Sequence, residues 1–228
     1  MRTTSIHGII LKQKVLFEKD KILTIFTQEA GKISAFMKGA RKITSRRNMH
    51  AELFNMCRFQ IYTTTSGNML INECTALETF PFLRQDFFRL CAASYVAEIT
   101  DRLTAEENPS EKKCILLGTT LKMLADPKSN TLLILAAFTL KILTLLGNLP
   151  NFRETASHRE KLFALLQNTP LAKLNSYEYV PQETQLLFRE TNSILRRHLS
   201  QELVSEKYLY SATIFLISKI PSTYKGNR

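Results

Sequence analysis

Over the first 80 residues apolar and polar positions alternate in short runs. IHGIILKQK (6–14), KILTIFT (21–27) and KISAFMK (32–38) come first, followed by CRFQIYT (57–63) and MLINECTAL (69–77). A period of two puts successive side chains on opposite faces of a strand. In the third run Ile33, Ala35 and Met37 share one face, with Lys32, Ser34, Phe36 and Lys38 on the other. In the fourth, Cys57, Phe59 and Ile61 point inward and Arg58, Gln60 and Tyr62 outward. Gln28-Glu29-Ala30-Gly31 and Thr65-Ser66-Gly67-Asn68 supply the turns, with glycine where a positive φ is cheap. Five short strands in this length predict a small closed barrel. An OB-fold has that strand number and size, and an SH3-like barrel matches nearly as well.

From Pro81 the period changes. Phe88, Ala92, Tyr95, Ile99 and Leu103 recur at steps of three and four, the apolar stripe of a helix. AEENPS (105–110) breaks the pattern, and Ser110 is placed to cap a helix running to about Ala125. After a second break at DPKSN (126–130), a strongly apolar helix runs from Thr131 to Gly147, with Pro150 just beyond as a stop signal. Being apolar nearly all round, it belongs at the centre of a helical bundle. Further helices are predicted at about 155–168, 182–200 and 205–220, and residues 169–181 carry no clear pattern. The fold class expected is α+β with several domains: a five-stranded OB-fold barrel at 1–80, then an α-helical domain at 81–228.

The longest apolar stretch, Thr131–Gly147, contains Lys141 and falls short of the roughly 20 residues a membrane span needs. The opening residues hold only a three-residue apolar run before lysine, too short for a signal-peptide core. A soluble, cytoplasmic protein with no membrane partner is therefore expected.

Charge adds a partner class. The 228 residues hold 31 Lys and Arg against 20 Asp and Glu, a net charge of +11, which favours a polyanion such as nucleic acid. Residues 1–80 hold 12 cations and 6 anions, and seven of those cations fall between Lys32 and Arg58, where Glu52 is the single anion. The densest stretch is KGARKITSRR (38–47), with Lys38, Arg41, Lys42, Arg46 and Arg47 and no carboxylate. On an OB barrel such a loop, with Lys32 and Arg58 nearby, would track phosphates. Phe36 and Tyr62 face outward and are candidate platforms for base stacking, the alternative being packing against a neighbouring loop or helix.

Catalytic patterns are missing. There is no GxSxG, no HExxH and no phosphate-cradling GxxxxGK[ST]. His7, His50, His158 and His198 are widely spaced, and carboxylates in the barrel form no acid–base pair. Cys57, Cys74, Cys91 and Cys114 lie 17, 17 and 23 residues apart inside apolar stretches, without a CxxC. Reduced, buried thiols are expected, with neither a zinc site nor any other cofactor.

Three motifs in order then carry a resemblance. GIILKQKVLFEKDKILTIFTQEAGKISAFMKGARK, ECTALETFPFLRQDFFRLCAASYVAEITDRL and LKILTLLGNLPNF cover most of residues 1–150, and the first, with its FT…G…KGAR series, is the most specific. Together they resemble the RecO family, bacterial recombination mediators of the RecF pathway. The resemblance implies an OB-fold and a helical domain, binding of single- and double-stranded DNA, annealing of complementary strands, and help in loading recombinase onto DNA coated by single-strand-binding protein. It implies RecR and the acidic C-terminal tail of the coating protein as partners, and a location on the nucleoid.

Two departures from the family pattern are visible. Where many members carry a four-cysteine zinc site, NFRETASHREKLFALLQNTP has no cysteine. Ahead of LLGNLP, where members often carry a basic tail-binding run, Ala136-Ala137-Phe138-Thr139 stands instead. Phe138 would supply apolar contact to an acidic tail, and Lys141 or Arg102 a cation. Two further readings of the residues stay open: an OB-fold scaffold that docks RecR with little DNA affinity of its own, and an RNA-binding OB protein.

Overall fold

In the computed structural model, residues 2–16, 20–39, 50–149, 152, 157–174 and 181–218 are described. Five strands come first: β1 (Arg2–Leu16), β2 (Asp20–Thr27), β3 (Gly31–Met37), β4 (Met56–Thr63) and β5 (Met69–Glu78). They close into a barrel in the order β1-β2-β3-β5-β4, with β4 returning to β1. All neighbours are antiparallel except β3 and β5, which run parallel through Ala35↔Met69 and Phe36↔Leu70. This is the OB-fold, and its strands and inward residues are those the alternation predicts.

β1 is longer than its apolar run. Its first half pairs with β4 (Arg2↔Thr63 to Ile9↔Met56) and its second with β2 (Gly8↔Thr27 to Leu16↔Asp20). A bulge between Ile10 and Lys12 breaks the alternation. Ile6, Ile10, Leu23, Ile25, Ile33, Ala35, Met37, Phe59 and Ile71 fill the barrel interior. Ile9 and Phe26, paired across the sheet on its outer side, are also fully buried, because helices cover them.

The helices are α1 (Pro81–Gln85), α2 (Phe87–Leu103), α3 (Glu111–Ala125), α4 (Thr131–Leu145), α5 (His158–Asn168), α6 (Leu171–Leu174), α7 (Pro181–Arg196) and α8 (Val204–Ser218). Asp86 separates α1 from α2 and caps the latter, its carboxylate accepting Arg89 N–H at 3.1 Å. Ser110 stands at the N-cap of α3 as expected, but its hydroxyl accepts no cap hydrogen bond. Ser157 and Glu160 form a capping box that starts α5 at His158, later than the pattern predicts. α7 likewise ends at Arg196, short of residue 200. α4 ends in a Schellman turn, Asn148 N–H to Leu143 O and Gly147 N–H to Thr144 O, both 2.9 Å.

α4 is the centre of the bundle, with 11 of its 15 residues buried against α2, α3, α5 and α7. α2 and α3 seat on β1. Gly118 of α3 lies over the strand, where an added Cβ would meet Ile9 Cδ1 at 3.5 Å, and the Cys114 thiol faces Phe26 O at 3.9 Å. A buried polar cluster ties α8 to the bundle. The Tyr95 hydroxyl donates to Asn192 Oδ1, Asn192 Nδ2 donates to Glu206 Oε1 at 3.0 Å, and Arg196 reaches the same carboxylate at 2.8 Å.

Candidate nucleic-acid interface

Outward positions of neighbouring strands fall into register as one row. Lys14 lies opposite Ile22, Ile22 opposite Phe36, Phe36 opposite Leu70, Leu70 opposite Tyr62, and Tyr62 opposite Thr3. Ile22, Phe36, Leu70 and Tyr62 are each half-buried, leaving one side of each to solvent, and Lys14 is exposed. Strands stand about 5 Å apart, so the two rings sit ~10 Å apart with Leu70 between them. The row lies near the end of the barrel where β4 turns into β5 through residues 64–68 and Leu16 of β1 pairs with Asp20 of β2. That end, with the β2–β3 face, is where OB-folds take oligonucleotides.

The cations are distributed unequally around this row. Lys38 is exposed and follows Phe36 on the same face of the chain, ~7 Å along. Lys32, on that face too, is turned to the helices: its ammonium donates to Asp101 O at 2.6 Å and lies 3.4 Å from the Asp101 carboxylate. Lys12 shares that carboxylate. Arg58 is exposed but lies opposite His7 and Thr75, four residues (~13 Å) from Tyr62 along β4. It is therefore not part of the row. Arg41, Lys42, Arg46 and Arg47 fall outside the described residues. Sequence reasoning missed Lys14, Ile22 and Leu70; lateral register is the signal that joins them to the rings, and it is set by strand pairing rather than by local pattern.

The residues expected to meet an acidic tail, Phe138 and Lys141, are placed inside the bundle and at its α4–α5 seam. Phe138 is fully buried in α4 and presents nothing to a ligand. The Lys141 ammonium donates to Gln167 O at 2.6 Å, and burial pushes its pKa down. Arg102 is engaged by Glu98 at 3.0 Å and by Gln201 at 3.2 Å.

All four cysteines are buried, free thiols. The neighbouring Cys74 thiol, together with burial, pushes the Cys57 pKa up, and burial with the charge of Glu29 pushes that of Cys114 up to about 11. Both stay protonated and are poor nucleophiles or metal ligands. Among the described residues no group of three or more His, Cys, Asp or Glu side chains is placed to hold a metal ion. No helix among them is long and apolar enough to cross a membrane.

Comparison with known proteins matches this architecture in order. Residues 1–80 match the family model "Recombination protein O N terminal", and residues 84–163 match "Recombination protein O C terminal". The chain is similar to the DNA repair protein RecO of Pelotomaculum thermopropionicum, 38% identical over 160 residues, which is 69% of this chain and 60% of that protein. It is similar to that of Symbiobacterium thermophilum, 32% identical over 66% of this chain and 59% of the relative. A shorter match to the Oceanobacillus iheyensis protein is 40% identical over 45% of this chain and 40% of the relative. The chain thus spans about 60% of the length of the first of these relatives. With a five-stranded barrel and helices behind it, and both family models matched in sequence over most of its length, the chain belongs to the RecO family.

Proposed function

We propose that this chain is a DNA-binding recombination mediator in recombinational repair, working without covalent chemistry. Residues 1–80 form the nucleic-acid-binding domain and residues 81–228 a helical domain that buttresses it. Bases of an unpaired strand lie along Phe36, Leu70 and Tyr62, and Lys14 and Lys38 meet its phosphates together with Arg41, Lys42, Arg46 and Arg47. The observation that carries the reading is the continuous half-exposed row Ile22–Phe36–Leu70–Tyr62, flanked by cations at the usual OB ligand face. Stacking on rings is tolerant of sequence, and phosphate neutralisation releases counterions, so two like-charged strands approach each other at lower cost. This supports annealing of complementary strands, and the family resemblance extends it to recombinase loading on coated DNA with RecR and the acidic tail of single-strand-binding protein as partners.

Salt-dependent binding of the isolated protein to labelled single strands tests it. The five cations Lys38, Arg41, Lys42, Arg46 and Arg47 together contribute roughly −3 to −4 to the logarithmic salt slope, and Lys14 adds a smaller share. Replacing Lys38, Arg41, Lys42, Arg46 and Arg47 by alanine should flatten that slope and weaken binding to every sequence alike. An unchanged slope would sink the assignment. No binding even at low salt would leave the docking scaffold instead, and stronger binding to RNA in direct competition would leave the RNA reading.

A further inference from the structure

A second cationic feature stands in the helical domain, on helices that pack against α4 rather than on the barrel. Between α5 and α7 runs a cleft of about 320 Å³. Phe163 and Ile194 line it with apolar surface, and Arg159, Arg189, Ser193 and Arg197 bring polar groups to it. Its single carboxylate, Glu190, is taken by Arg159 through two hydrogen bonds, one of them 2.7 Å. Arg189 and Arg197 are exposed and make no ion pair among the described residues. With one carboxylate neutralised and two guanidinium groups free, the cleft carries net positive charge.

The spacing of those groups matters. Positions 189, 193 and 197 are four residues apart, so they lie on one face of α7 and the turn after it, spanning ~12 Å. A hydroxyl between two guanidinium groups makes a track for anions that repeat along a chain. Arginine offers phosphate a bidentate fork and offers a base a flat surface for stacking. The apolar side of the cleft accepts an unstacked base, which a duplex would keep in its interior.

We infer that the cleft between α5 and α7 is a second site for an unpaired nucleic-acid strand. The inference rests on the reading of the barrel as the first such site. One chain then holds two strands at once, which brings them together at a higher local concentration than charge neutralisation alone.

The test counts strands. The full chain is titrated with a short labelled mixed-sequence oligonucleotide, and annealing of complementary oligonucleotides is followed in parallel. The proteins compared are wild type, the surface variant R189E/R197E and the barrel variant F36A/Y62A, all checked by circular dichroism for retained fold. Wild type should bind two strands per chain. R189E/R197E should bind one and anneal roughly tenfold more slowly, a loss equal to about 1.4 kcal/mol. Its remaining binding step should keep the salt slope of the barrel site. Wild type saturating at one strand per chain overturns the inference, as does R189E/R197E matching wild type in both assays. A labelled acidic peptide with an apolar end serves as a competitor. If R189E/R197E loses the peptide while still binding two strands, the cleft is a peptide site and the inference fails. If F36A/Y62A binds and anneals like wild type, the barrel reading fails separately.

Discussion

Gly31 at the start of β3 lies against the backbone of Asn108 in the loop between α2 and α3: a Cβ on Gly31 would stand 2.5 Å from the Asn108 nitrogen. The same loop is held by Glu107 N–H donating to Lys32 O at 3.1 Å. The first two residues of β3 therefore latch the barrel to the helices, while Phe36 and Lys38 farther along remain open to a ligand.

Gly31 and Gly39 make a controlled pair of substitutions. Both have positive φ, 69° and 65°, but among the described residues nothing lies within 4 Å of a Cβ at Gly39. Gly39→Ala should cost about 1 kcal/mol, the left-handed backbone penalty alone. Gly31→Ala should cost about 1–3 kcal/mol more, because the Asn108 backbone must also shift. Urea unfolding of the two variants checks this, and equal losses would refute the latch.

Asp101 gathers Lys12 and Lys32 at the same seam, and its side chain and that of Lys32 are only 14% and 12% exposed. Asp101→Ala leaves the Lys32 ammonium with the backbone carbonyl alone. The expected loss is about 1–3 kcal/mol, since an unpaired, mostly buried cation is costly. Lys12→Ala, which removes a half-exposed partner, should change stability by less than about 1 kcal/mol. Thermal unfolding of both variants measures the difference.

Glu98 predicts a pH dependence. Burial acts to raise its pKa, but the Ser205 hydroxyl and N–H, the Val204 N–H and Arg102 outweigh it and hold the pKa below the usual glutamate range. The folded pKa lies below the unfolded one, so the stabilisation is complete above the unfolded value. It is lost as pH falls through the folded value. Glu98 accepts from the first N–H groups of α8, so acidification should loosen that helix first. Glu98→Gln should be less stable than wild type at neutral pH, with the gap closing in acid. A gap constant with pH would contradict the assignment.

What was legible follows from range. Strand faces and the central helix follow from patterns a few residues long, and burial repeats those patterns almost residue by residue. The same all-round apolarity that puts α4 at the centre also buries Phe138, so the expected tail contact conflicted with a feature the sequence already displayed. Lys32 was not legible as a seam residue, because its partner Asp101 stands 69 positions away. Polar Thr3, Thr4 and Ser5 gave no strand signal; they are held in β1 by pairing with Tyr62, Ile61 and Gln60 of β4. Leu70 reads as an ordinary strand residue until pairing sets it between two rings.

That placement yields the most direct prediction for the interface. If bases stack along the row, Tyr62→Ala should weaken single-strand binding by about 1–3 kcal/mol and leave the salt slope unchanged, because no phosphate contact is lost. Tyr62→Phe should bind like wild type, since stacking uses the ring and not the hydroxyl. Leu70→Lys should interrupt the apolar row and steepen the slope by ~0.7 if the new cation meets a phosphate. Fluorescence anisotropy over a range of salt concentrations separates these signatures. Should Tyr62→Ala bind unchanged, or lose affinity through the slope alone, the rings would be packing surface and the strand would be held by charge only.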